Sequence, residues 1–189
     1  MNDNKKIIWI KEYFNRYKKS IFNSEIIDDL IKIKDIWEVT SDLGGKIIFA
    51  GNGGSAAMAS HCSVDLTKNA GIRAINFNEA DLITCFANDY GYNEWVSRAI
   101  EFYGDPNDVL VLISSSGNSM NMVNAAKYAK KLEIKVITFT GFDSLNKLKK
   151  EGDINIWVNS KAYNIVEMTH HIWLLGIVDM IIGNAEYSA

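Results

Sequence analysis

Residues 46–65 read KIIFAGNGGSAAMASHCSVD, and their reading decides the fold. Residues 46–50 are apolar and partly β-branched, the signature of a buried strand. Gly51, Asn52, Gly53, Gly54 and Ser55 follow at once. Three glycines in five residues end a strand, permit positive φ and let another group approach the backbone closely. Residues 55–68 then read as a helix, with Ser55 as the expected N-cap. A strand, a glycine turn and a helix N-terminus together present free N–H groups and the positive end of a helix dipole. This arrangement is either a cradle for a phosphate or an ordinary tight βα turn. It is neither a Walker loop nor a G-x-G-x-x-G turn.

The same alternation runs through the rest of the chain. Apolar runs predict strands at 73–77, 109–114, 135–140 and 154–158. Helical spacing falls at 80–87, 93–103, 120–131, 145–150 and 164–182. Runs such as VLVLI and KVITF do not alternate apolar with polar residues, so both faces of the sheet are expected to be covered. The expected fold is therefore α/β, a doubly wound parallel sheet flanked by helices. Two amphipathic helices precede it, at 5–21 and 24–43. The first carries the stripe Ile7, Ile10, Phe14, Tyr17 and Ile21; the second is capped at Asn23-Ser24 and stopped by Gly44-Gly45. They are expected to cover the sheet's flank or another subunit. The chain of 189 residues reads as one domain, 1–189, with a helical extension at 1–43 and an α/β core at 44–189.

Composition narrows the class. A net charge of −3 gives no reason to expect nucleic acid as a partner. No apolar run appears long enough for a bilayer, so no membrane partner is expected. The N-terminal MNDNKKIIWIKEYF is charged and has no small-residue cleavage site, so no signal peptide and a cytoplasmic location are expected. Cys62 and Cys85 have no metal-type spacing and read as reduced thiols.

In open parallel sheets ligands sit beyond the carboxyl ends of the strands. Three loops converge there: GNGGS, ANDYGYN (87–93) and SSSGNS (114–119). The last brings Ser114, Ser115, Ser116 and Ser119 together with a glycine before a helix. Four hydroxyls at a helix N-terminus form an anion-binding surface that needs no cation.

These motifs, in this order, resemble the SIS (sugar isomerase) domain family, and within it the bacterial phosphoheptose isomerases of lipopolysaccharide and capsule heptose synthesis. The likeness is carried by GGKIIFAGNGGSAA, ANDYGYNEWVSR, DVLVLISSSGNS and KVITFTG, and spans about residues 31–182. It implies a five-stranded parallel sheet and a homotetramer with active sites between subunits. It implies that Asn52, Gly53, Gly54 and Ser55 hold the sugar and that Asn88 and Asp89 contact its hydroxyls. Ser114, Ser115, Ser116 and Ser119 would grip the phosphate. The family's histidine and glutamate on the helix after GNGGS correspond to His61 and Asp65, which the resemblance implies are catalytic residues, a base with its orienting group, or half of a metal site. The family's glutamine and histidine on the last helix correspond to Val166 and Leu174, departures that remove a proposed base or acid and two ligands of the zinc site reported for some members. His170 shares their helical face and is the candidate second acid/base; His171 lies four residues from Glu167, within reach of an ion pair. The expected activity is conversion of sedoheptulose 7-phosphate to an aldose phosphate. Its alternatives are an isomerase of another sugar phosphate or a non-catalytic SIS protein that binds a phosphosugar or a replication initiator.

Overall fold

A computed structural model describes residues 2–187. Five strands, β1 (Ile47–Gly51), β2 (Ala74–Asn76), β3 (Val109–Ser114), β4 (Lys135–Thr140) and β5 (Ile154–Trp157), form one sheet in the order β2-β1-β3-β4-β5. All neighbouring strands are parallel, with Ile47 beside Ala74 and Val109, and Val109 beside Lys135. The chain order reverses between β1 and β3, so the crevice beyond their carboxyl ends is where such a sheet receives a ligand.

Side chains alternate across each strand and separate two cores. Ile47, Phe49, Val109, Val111, Ile113, Ile137 and Phe139 face a layer containing α2 (Ile27–Asp42), α3 (Gly54–Lys68) and α7 (Tyr163–Ile182). Ile48, Ala50, Leu110, Leu112 and Val136 face α5 (Trp95–Tyr103) and α6 (Met120–Lys131), with α4 (Ala80–Tyr90) packed outside. Both faces are covered, which explains why the strands lack a polar side. At the opposite end of the sheet Lys46 Nζ bonds Asp108 Oδ2 at 2.6 Å and Asp105 Oδ2 at 2.8 Å, bracing the start of β1 against β3.

Several expectations move. The second N-terminal helix starts as a 3-10 turn, Ser24–Ile26, before α2; Asn23 caps it by accepting the Glu25 N–H. Residues 145–150 yield only a 3-10 turn at Leu148–Lys150, because Asn146 turns inward to bond Thr140 and the Asp143 carbonyl. Helix α7 does meet the length and composition of a bilayer span, with a window of mean hydropathy 1.5, contrary to the expectation for the chain. Its apolar residues serve the core: Ile165, Val166, Leu174 and Ile177 are fully buried.

Helix α1 (Asp3–Ile21) buries none of its residues. It hangs on α7, where Tyr17 Oη donates to the Asn164 carbonyl at 3.0 Å and Trp173 Nε1 to the Ile21 carbonyl at 3.0 Å. Burial and Tyr13 together push the Tyr17 hydroxyl up to about 12. Ile7, Ile10 and Phe14, which share one stripe of the helix, remain exposed, as do Ile8 and Trp9.

Candidate active site

The turn after β1 is built by glycine. Gly53, not Ser55, is the N-cap of α3, with φ 57° and ψ −123°, a conformation that only glycine adopts at little cost. Ser55 therefore falls in the first turn of the helix and is 3% exposed. Gly54 serves close approach instead: a Cβ there would stand 2.5 Å from Glu167 Oε2. The Glu167 carboxylate thus lies against the N-terminus of α3, where the helix dipole favours negative charge.

The turn after β3 lies beside it. Ser119 is the N-cap of α6, and its hydroxyl makes no capping bond. It lies 3.4 Å from Ser114 Oγ. Ser116 Oγ accepts the Asn118 N–H at 3.2 Å, and Ser115 Oγ reaches Glu167 Oε1 at 3.5 Å. Asn52, Ser55, Ile113 and the four serines, closed on one side by Tyr163 and Glu167, line a cleft of about 110 Å³. Two helix N-termini, those of α3 and α6, meet there. The lining contains one carboxylate and no lysine or arginine. Hydroxyl and N–H dipoles of this kind suit an oxyanion.

Asn52 is held by three bonds. Its Nδ2 donates to Asn121 Oδ1 at 3.1 Å, while its Oδ1 accepts from Asn121 Nδ2 at 2.9 Å and from Tyr92 Oη at 3.1 Å. Asn88 and Asp89 bond each other at 2.9 Å on the exposed face of α4 and do not line the cleft.

His61 and His171 form a second cluster, on the outer faces of α3 and α7. His61 Nε2 lies 3.2 Å from Asp65 Oδ2, and His61 Nδ1 lies 2.9 Å from His171 Nε2. A carboxylate only accepts, so His61 Nε2–H donates to Asp65, and in the neutral imidazole His61 Nδ1 then accepts from His171 Nε2–H. His171 thus turns to His61 rather than to Glu167. Burial, and then His61, lower its pKa, while Asp65 opposes them.

His170 does not reach the cleft. The shared face of residues 166, 170 and 174 is the core face: Val166, His170 and Leu174 are all fully buried. The His170 ring packs edge-on to Phe139, and its Nε2 lies 3.0 Å from the Thr140 carbonyl, which requires the Nε2–H tautomer. Burial lowers its pKa to about 4. Cys62, also buried, has its thiol pushed up to about 12.

The donors around His61 do not make a zinc cage within this chain. Asp65 and His171 approach opposite nitrogens of one imidazole, and a single ion cannot take both nitrogens. Among the described residues no group of three or more His, Cys, Asp and Glu is arranged to hold a metal ion.

Parallel sheet, switch-point cleft and serine turn together define a doubly wound α/β domain with a polar cleft at its switch point, and comparison gives its family: the SIS domain model matches residues 12–141, and the chain belongs to that family. Its relatives narrow the likeness. A phosphoheptose isomerase of Buchnera aphidicola subsp. Schizaphis graminum is 36% identical over 170 residues, covering 87% of each chain. The phosphoheptose isomerase of Helicobacter pylori is 38% identical over 143 residues, 72% of this chain and 74% of its own. The structure of a phosphoheptose isomerase from Francisella tularensis superposes with a TM-score of 0.87 at 26% identity, over 96% of this chain and 98% of that one.

Glu167, Tyr163, Tyr92 and Asn121 were not singled out as site residues by the sequence. Glu167 and Asn121 carried a signal all the same: each lies within two turns of the N-terminus of a helix that follows a strand's carboxyl end.

Proposed function

We propose that the chain interconverts a ketose phosphate and an aldose phosphate, with sedoheptulose 7-phosphate as substrate, supplying heptose for lipopolysaccharide or capsule. The observation that carries this reading is the cleft of four serines at the meeting of two helix N-termini, in a chain akin to phosphoheptose isomerases. The serine turn holds the phosphate; Asn52, Gly53, Gly54 and Ser55 hold the sugar, and Asn88 and Asp89 are the proposed contacts to its hydroxyls. Phosphate binding energy then positions C1 and C2.

The reaction moves a proton between C1 and C2 through an enediol. Asp65 is the proposed base, and His61, donating to it through Nε2, orients it. This pair is outside the cleft lining of its own chain, which supports a site shared between copies. The exposed apolar face of α1 is suited to cover by a second copy, and a homotetramer is the assembly proposed. His61 and Asp65 supply two donors should zinc be added. Val166 and Leu174, buried where the family carries a glutamine and a histidine, favour a second reading: a phosphosugar-binding protein without turnover.

Proton NMR of sedoheptulose 7-phosphate with the protein in D2O, with and without zinc, tests both. An aldose phosphate carrying deuterium at the carbon that receives the proton is expected. Binding without turnover or exchange would overturn the isomerase in favour of the binding protein.

A further inference from the structure

The Asn52 carboxamide has a polarity that its neighbours dictate. Two paired amides alone could be turned over together and keep both of their bonds. The backbone removes that freedom. The Met122 N–H, shared with the Ser119 carbonyl, points at Asn121 Oδ1 at 3.1 Å. A turned-over Asn121 would set two donors against each other there. With Asn121 fixed, Asn52 must offer Nδ2 to Asn121 Oδ1 and Oδ1 to Asn121 Nδ2. The Tyr92 hydroxyl then takes the remaining acceptor position of Asn52 Oδ1.

A carbonyl oxygen accepts two bonds well, and both of these are filled from within the protein. One Nδ2–H remains uncommitted, on a residue that lines the cleft. We propose that Tyr92 and Asn121 are positioning residues which hold Asn52 as a donor only, so that the cleft selects a ligand oxygen acting as acceptor at that point. This rests on the reading of the cleft as a sugar-phosphate site. The same three bonds tie together the turn after β1, the first turn of α6 and the loop between α4 and α5, which is how the ANDYGYN segment acts on a cleft that Asn88 and Asp89 do not line. Asn121 is 2% exposed, whereas Tyr92 is 55% exposed, so the tyrosine can be altered without opening the core.

The test is a double-mutant cycle on Asn52→Ala and Tyr92→Phe, read twice: by calorimetric affinity for sedoheptulose 7-phosphate, and by urea unfolding without ligand. Tyr92→Phe is expected to weaken sugar-phosphate binding about 3- to 10-fold, the worth of one hydrogen bond. In the Asn52→Ala background it is expected to have no further effect on binding, a result that a purely structural tyrosine would not give. Asn121→Asp keeps the acceptor for Met122 but cannot donate to Asn52, and is expected to weaken binding at least as much as Tyr92→Phe. An unchanged affinity in Tyr92→Phe, or an equal loss in both backgrounds, overturns the proposal. Additive effects on unfolding overturn the network itself. Coupled unfolding in a wild-type protein that binds no sedoheptulose 7-phosphate supports the network and overturns the substrate reading instead.

Discussion

The Glu167 carboxylate occupies the space that a side chain at position 54 would need: a Cβ on Gly54 would meet Oε2 at 2.5 Å and the carboxyl carbon at 2.9 Å. One glycine therefore sets how closely the last helix approaches the turn after β1. Gly54→Ala is expected to push Glu167 away, cost about 1–3 kcal/mol of stability and, through the methyl group it adds where the proposed sugar lies, weaken sugar-phosphate binding. Adding Glu167→Ala should restore the stability but not the binding. Chemical denaturation and calorimetry on the two variants check this, and a Gly54→Ala protein as stable as wild type would show that the carboxylate is not held there.

Ser119 offers a clean test of the serine turn. Its hydroxyl caps nothing, so Ser119→Ala should change stability by less than about 0.5 kcal/mol. Affinity for inorganic phosphate should nevertheless fall about 5- to 10-fold. Ser116→Ala should weaken phosphate binding too, but with some loss of stability, because Ser116 Oγ also accepts the Asn118 N–H. Unchanged phosphate affinity in both variants would remove the turn from the site.

The chain of bonds from His171 through His61 to Asp65 predicts graded losses. Asp65→Asn should lower turnover by roughly 10²- to 10⁴-fold while sugar-phosphate binding persists. His171→Ala should lower it by a smaller factor, since it removes only the donor to His61 Nδ1. Steady-state kinetics paired with calorimetry separates these effects, and full turnover in Asp65→Asn would take Asp65 out of the reaction.

His170 belongs to stability rather than catalysis. In the unfolded chain it titrates near 6.5 and in the folded chain at about 4. Between those values the unfolded chain binds more protons, so its contribution is intact above pH 6.5 and is lost as pH falls toward 4, by about 3 kcal/mol. Urea midpoints measured from pH 7 to pH 4 should show this slope, and it should shrink in His170→Gln. An identical slope in that variant would assign it to other groups.

Much of the architecture can be read from short windows. The unbroken apolar run at 109–113 becomes β3 because both of its faces meet a core, and the serine turn follows β3 where expected. Features that depend on distant segments are not local properties. His61 and His171 meet across 110 residues, and Ser115 and Glu167 across 52. Helical spacing places Val166, His170 and Leu174 on one face correctly, but spacing alone does not say whether that face looks at the cleft or into the core. The apolar neighbours at 166 and 174 were the available clue, since a face carrying Val and Leu belongs to the interior. Capping by Gly53 in place of Ser55 was likewise hidden, because a positive φ is decided by what the turn must clear.

The cleft's lining of hydroxyls, one amide and one carboxylate has a consequence for ionic strength. Cationic phosphate sites lose grip as salt screens them. For the phosphate proposed to sit here, the attraction comes from dipoles at contact distance, while the one formal charge in the lining, on Glu167, repels a phosphate dianion. Added salt screens that repulsion and leaves the hydroxyl contacts in place, so the affinity contributed by this chain's cleft should hold steady or rise slightly from dilute buffer to physiological salt.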